Sequence, residues 1–246
     1  MNADDKAAMR ATQDAQERAR RIHAEHIVID SMAPSVISEF VLTPEMVDLA
    51  RRQQAEGKKR TQIWEAMSAF LLDRLETDAA TREAYLAYWQ RSGVRACHNT
   101  LYGLGAPDAA FEALVAEFGR MGRLMQALGG QVIQAGTAAD VERAHKEGKR
   151  AVIPNIQSPD PFGDDFDRVD LFHGLGLRSA QLTYNLRTRF GEGCLEPRDG
   201  GLSRFGAALV EKMNATRMIV DVSHASPHTA IDATTVSQRP VVASHT

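Results

Sequence analysis

Two stretches of the chain end alike, Asp221-Val222-Ser223-His224 and Ala243-Ser244-His245. Each follows a short β-branched run, and the two histidines stand 21 residues apart, the length of one strand-helix unit. If both runs are parallel strands of one sheet, their ends open on one mouth, where two imidazoles can meet a single cation. Neutral imidazole nitrogen is a good ligand for Zn²⁺, with bonds of about 2.0–2.1 Å. Two strand-end histidines can also act as hydrogen-bonding caps with no ion between them. A metal site needs further donors. Asp30 closes the first β-branched run and is a carboxylate candidate; Gln157 closes a third and is a neutral donor that cannot act as a base. Ser223 and Ser244 precede the histidines, but no Gly-x-Ser-x-Gly surrounds either, so neither reads as a nucleophile elbow.

The other titratable groups have quieter readings. Asp221 can orient a loop or a helix terminus, or stand behind a histidine as its hydrogen-bond partner. His98, next to Cys97, reads as a satisfied strand-end histidine that could face the mouth. His23, His26, His145, His173 and His228 lie on or beside helices, where solvated or capping roles suffice. The acidic stretch 158–170 should be a polar loop near the mouth, and the basic stretch 51–60 a solvated helix end. Gly191-Glu192-Gly193-Cys194 reads as a turn without the strand-turn-helix setting of a phosphate cradle.

These residues need a scaffold, and the apolar pattern describes one. Residues 4–25 are Ala-rich and charged, as expected of a helix on the surface. Ile27-Val28-Ile29 is a continuous run that suits a strand buried on both faces. A helical excursion over 43–92 opens on Thr43-Pro44-Glu45 and carries Ile63, Met67, Phe70, Leu71 and Leu75 at helical spacing. Ser92-Gly93 stops it, and 94–101 reads as a strand, followed by a helix marked by Phe111 to Leu128. Strands over 151–157, 178–185, 218–224 and 240–246 then alternate with helices over 170–176, 201–214 and 226–237. This βαβα order predicts a parallel sheet flanked by helices. The six expected strands suit one incomplete (β/α)8 TIM-barrel-like domain over residues 1–246, with two further βα units expected beyond Thr246. The open edges of such a sheet are expected to pair, giving dimers or aggregates.

Composition narrows the function. The chain of 246 residues is 25% charged and 43% hydrophobic, as an ordinary globular protein is. Its formal charge of −3, from 29 basic and 32 acidic residues, excludes an overall basic nucleic-acid binder. No Gly-x-Gly-x-x-Gly follows the first strand, and no phosphate-loop motif occurs. The two cysteines, Cys97 and Cys194, read as free thiols of a reducing compartment. The N-terminal stretch has no apolar h-region, and no run approaches the roughly 18 apolar residues of a membrane span. A cytoplasmic protein with neither membrane nor nucleic-acid partners is expected.

The stretch from about 150 to 246 resembles the membrane (renal) dipeptidase family of metallopeptidases. The resemblance is carried by Leu182-Thr183-Tyr184-Asn185, Gly191 to Cys194, Asp199-Gly200-Gly201-Leu202-Ser203-Arg204-Phe205-Gly206, Val220 to His224, and Ala243-Ser244-His245-Thr246. It implies a (β/α)8 barrel related to the amidohydrolases, in which two zinc ions and a bridging water hydrolyse dipeptides. His224 and His245 match the two strand-end ligands of one zinc. Tyr184 stands where many members have a histidine that contacts substrate, which makes it the catalytic and substrate-binding candidate; Asn185 and Asp199 would shape the mouth. Gln157 replaces the glutamate that bridges the metals, and Met32 and Pro34 replace the first-strand His-x-Asp pair. A neutral bridge leaves the repulsion of two dications less compensated, so a single zinc fits these residues better than two. The implied function is a metal-dependent hydrolase of dipeptides or related small amides. The alternatives are a degenerate member that binds a small ligand or partner without turnover, and a hydrolase of another substrate class on the same barrel.

Overall fold

The computed structural model describes residues 3–33 and 42–246. After an opening helix α1 (Ala3–Glu25), strand β1 (Ile29–Ala33) leads to α2 (Pro44–Ala55), α3 (Arg60–Thr77) and α4 (Ala79–Ser92). Alternation then sets in with β2 (Ala96–Leu101), α5 (Pro107–Ala127), β3 (Val132–Gln134), α6 (Ala138–Lys146) and β4 (Arg150–Ile156). A 3₁₀ turn (Asp160–Phe162), α7 (Asp167–Leu175), β5 (Ser179–Gln181), α8 (Arg204–Thr216), β6 (Ile219–Asp221), α9 (Pro227–Val236) and β7 (Val241–Val242) complete it. The strands pair in parallel in the order β1-β2-β4-β5-β6-β7, with β3 on the side of β4. This six-strand path is the parallel half-barrel expected from the alternation.

Local chemistry explains the breaks within the helical excursion. Thr43 caps α2 by accepting the Met46 amide at 3.3 Å, one residue before Pro44 at the first helical position. Asp78 ends α3 and caps α4, accepting the amides of Ala80 and Thr81. Gly93 closes α4 in the left-handed conformation at φ 75°. Met67, Leu71 and Leu75 bury the α3 face in the core. One strand face, Cys97, Leu101, Val152, Ile156, Ala180 and Val220, packs on the helices through Leu114, Met121, Phe172, Leu209 and Met213. Ala96 and Ala151 join a second cluster with Val141 and Ala144 of α6. No helix among the described residues is long and apolar enough to cross a membrane.

Three expectations are corrected. The first strand is not buried on both faces: it begins at Ile29, which is 53% exposed, and pairs with β2 alone among the described strands. An edge strand lacks a neighbour on one side. Strand β3 and helix α6 had no counterpart in the apolar pattern, because a three-residue strand between Gly130 and Gly136 has no periodicity to read. The last strands are also shorter than their apolar runs, and Tyr184, Asn185, His224 and His245 all lie just beyond the paired residues. At the mouth the Ser31 hydroxyl of β1 donates to the carbonyl of Ser244, two residues beyond β7, at 2.6 Å.

Candidate functional site

Beyond β6 the backbone turns sharply, and His224 adopts the left-handed region at φ 63°, unusual for a residue with a side chain. The turn is held by the Cys194 amide, which donates to the His224 carbonyl at 2.7 Å, and by the Ala225 amide on Val222. It aims the imidazole at the mouth. His224 Nδ1 lies 2.8 Å from Asn185 Oδ1. A carbonyl oxygen only accepts, so Nδ1 carries the hydrogen and Nε2 a lone pair.

His245 is set the same way through a longer path. The fully buried Asp221 accepts the Ser244 hydroxyl at 2.5 Å, besides the amides of Ser223 and Ser244. With its proton on Asp221, Ser244 Oγ accepts from His245 Nδ1 at 2.9 Å. His245 Nε2 therefore also presents a lone pair. The two Nε2 atoms face each other at 3.0 Å. Two lone pairs so close repel unless a proton or a cation stands between them. Burial first, and His245 second, push the His224 imidazole below the ordinary histidine range, which keeps it a neutral donor.

Gln157 and Met32 complete the cluster. Gln157 Nε2 lies 3.5 Å from His245 Nε2 and 3.5 Å from Met32 Sδ. The four positions come from the ends of β6, β7, β4 and from β1. The Tyr184 ring packs on the His224 ring at 4.3 Å between centroids. Tyr184 and Asn185 border a cavity of about 420 Å³ that Ser158, Asp160 and Arg187 also line.

Other candidates lie elsewhere. The Asp30 carboxylate accepts the Met32 amide at 3.0 Å. Asp199 braces the start of α9, accepting the Ser226 hydroxyl and the His228 amide, and pairs with the exposed His228. His98 lines a second, largely apolar cavity with Ile27, Ile153 and Ile219, at the strand starts rather than the mouth, and its buried Nδ1 has no hydrogen-bond partner. Pro34 lies outside the described residues. Cys97 and Cys194 are free thiols, and burial pushes the Cys97 thiol up to about 12. Ser244, which the sequence marks only as no nucleophile elbow, links Asp221 to His245, a role that the absence of a Gly-x-Ser-x-Gly motif does not reveal.

The donor set fits one cation better than two. Two imidazole nitrogens converge, and an amide and a thioether stand beside them, all neutral. Among the described residues no group of three or more His, Cys, Asp or Glu side chains comes together as a metal site.

Comparison with known proteins gives this arrangement a lineage. The family model described as membrane dipeptidase (peptidase family M19) matches residues 16–246. A dipeptidase, aclJ, of Aspergillus oryzae is 35% identical over 118 residues, which are 46% of this chain and 28% of the relative. An amidohydrolase from Pseudomonas aeruginosa superimposes with a TM-score of 0.65 at 25% identity, over 92% of this chain and 55% of its own. A metallopeptidase from Rhodobacter sphaeroides, solved with a phosphinate mimic of the dipeptide L-Ala-D-Ala, shares the fold. Its TM-score is 0.61 at 24% identity, over 71% of this chain and 62% of its own.

Proposed function

Because the chain belongs to the membrane dipeptidase family, we propose that the His224–His245 mouth is the catalytic centre of a metal-dependent hydrolase that cleaves dipeptides or related small amides. The observation that carries the proposal is the pair of facing Nε2 lone pairs, 3.0 Å apart, each fixed by a hydrogen bond behind it. In this reading His224 and His245 would hold one zinc ion, and Gln157, whose amide nitrogen faces His245 Nε2 at 3.5 Å, would have to turn its amide over to offer its oxygen as a neutral third donor. A zinc ion bound there would supply Lewis acidity toward a carbonyl or a water.

The chain's own residues do the rest. The Tyr184 hydroxyl donates to the substrate carbonyl, and more strongly to the oxyanion that develops from it. Asn185 holds the His224 ring in one tautomer, and Asp221 does so for His245 through Ser244. Gln157 has no lone pair suited to accept the proton of an attacking water, and the Asp221 carboxylate is already occupied by Ser223 and Ser244. Turnover is therefore expected to be slow beside that of a site with a carboxylate at this position. The same neutrality favours the second reading, a site that binds a small ligand without turnover.

Elemental analysis after zinc loading tests the centre. About one zinc per chain is expected in the wild type and none in the His224→Ala/His245→Ala double variant. A folded wild type that retains no zinc overturns the metal centre and leaves the ligand-binding reading. Hydrolysis of a panel of dipeptides, N-acyl amino acids and lactones by the zinc-loaded protein then separates the substrate classes.

A further inference from the structure

The cavity beside the histidine pair has an apolar rim. Leu104, Leu186 and Leu195 line it together with Tyr184. Leu195 is 65% exposed and Leu186 63%, the highest values among the exposed large hydrophobic side chains described. Leaving leucine in water forgoes the stabilisation of burial, and apolar side chains gathered on one rim mark a place where something apolar docks. Ligand cavities have this composition, apolar walls with a few placed polar groups.

The rim is built into the same backbone that positions His224. Leu186 follows Asn185, whose side chain accepts from His224. The Leu195 amide donates to the Asn185 carbonyl at 2.9 Å, and the preceding amide, of Cys194, donates to the His224 carbonyl at 2.7 Å. The leucines therefore keep a fixed distance from the histidine pair. The lining also carries opposite charges, Asp160 and Arg187. Arg187 meets Glu192 through Nε at 2.8 Å, and Asp160 accepts the Gly105 amide. Asp160 offers a charge for the amine of a dipeptide, while the Arg187 guanidinium is already shared with Glu192.

We propose that this cavity is a side-chain subsite that selects dipeptides carrying an apolar side chain over those with small or acidic ones. The proposal rests on the reading of the histidine pair as the catalytic centre.

Non-hydrolysable phosphinate mimics of Ala-Ala, Leu-Ala, Ala-Leu and Asp-Ala, titrated into zinc-loaded protein by calorimetry, test it. One leucine mimic is expected to bind about tenfold tighter than the alanine mimic, the range that a few methylenes in an apolar pocket provide. The Leu186→Asp/Leu195→Asp variant, whose substituted side chains are exposed, is expected to melt like the wild type and keep its zinc while the preference falls below about twofold. Equal affinity of alanine and leucine mimics in the wild type overturns the subsite. A preference that survives in the variant overturns it as well. Binding of no mimic at all overturns the reading of the catalytic centre, and the subsite falls with it.

Discussion

Asp221 reaches the His245 imidazole through the hydroxyl of Ser244, and that oxygen decides which ring nitrogen carries the proton. Ser244→Ala removes the link, frees the tautomer and leaves Asp221 short of one donor. A zinc affinity about 10–100-fold lower is expected, the usual effect of losing a partner behind a ligand, with zinc titration as the check. Gln157→Glu does the opposite. A carboxylate 3.5 Å from His245 Nε2 adds a charged donor, so zinc affinity should rise in the same titration. Unchanged affinity would mean that no cation binds at that position. The two histidines were legible because the strand ends repeat. Asn185 was legible as a mouth residue, but its hydrogen bond to His224 was not, since it joins loops 39 residues apart that no local pattern connects.

At the scale of elements, the site depends on a glycine that touches no ligand. A Cβ on Gly193 would run into the backbone of Tyr184 and Asn185. Gly193→Ala must push that segment away, and with it the amide that orients His224. Weaker zinc binding with helix content unchanged is the expected outcome, read by titration and circular dichroism. The turn over 191–194 was recognisable from its two glycines, but its purpose became clear only once it packed against the 184–185 backbone. The same holds for β3. Three residues paired to β4 leave no periodic trace, whereas the long helices did because their apolar spacing repeats over several turns. The α/β alternation was readable because each strand-helix unit repeats the two periods in turn.

At the scale of the whole molecule, burial sets a pH limit. His98, His173 and His224 are each held below the ordinary histidine value of 6.5, with burial the first cause in every case. The unfolded chain then binds more protons than the folded one as the pH falls from about 7, so stability is complete above about 6.5 and declines as the pH drops toward the folded values. Thermal melting in metal-free buffer should give a lower Tm at pH 5.5 than at pH 7.5. His98→Gln should narrow that gap, because its imidazole faces the strand-start cavity with an unpaired buried nitrogen. A gap unaltered by the substitution would assign the dependence to the other histidines.

The contact between Ser31 and Ser244 spans 213 residues, whereas the two histidines are separated by only 21. Local contacts form before distant ones, because closing a long loop costs more chain entropy. A refolding chain therefore brings the histidine pair together early and the Ser31–Ser244 contact late. Met32 and Ser31 arrive with that closing step. Ion capture can precede the completion of the pocket that would use the ion, and zinc present during refolding would seed the mouth before the first strand's residues reach it.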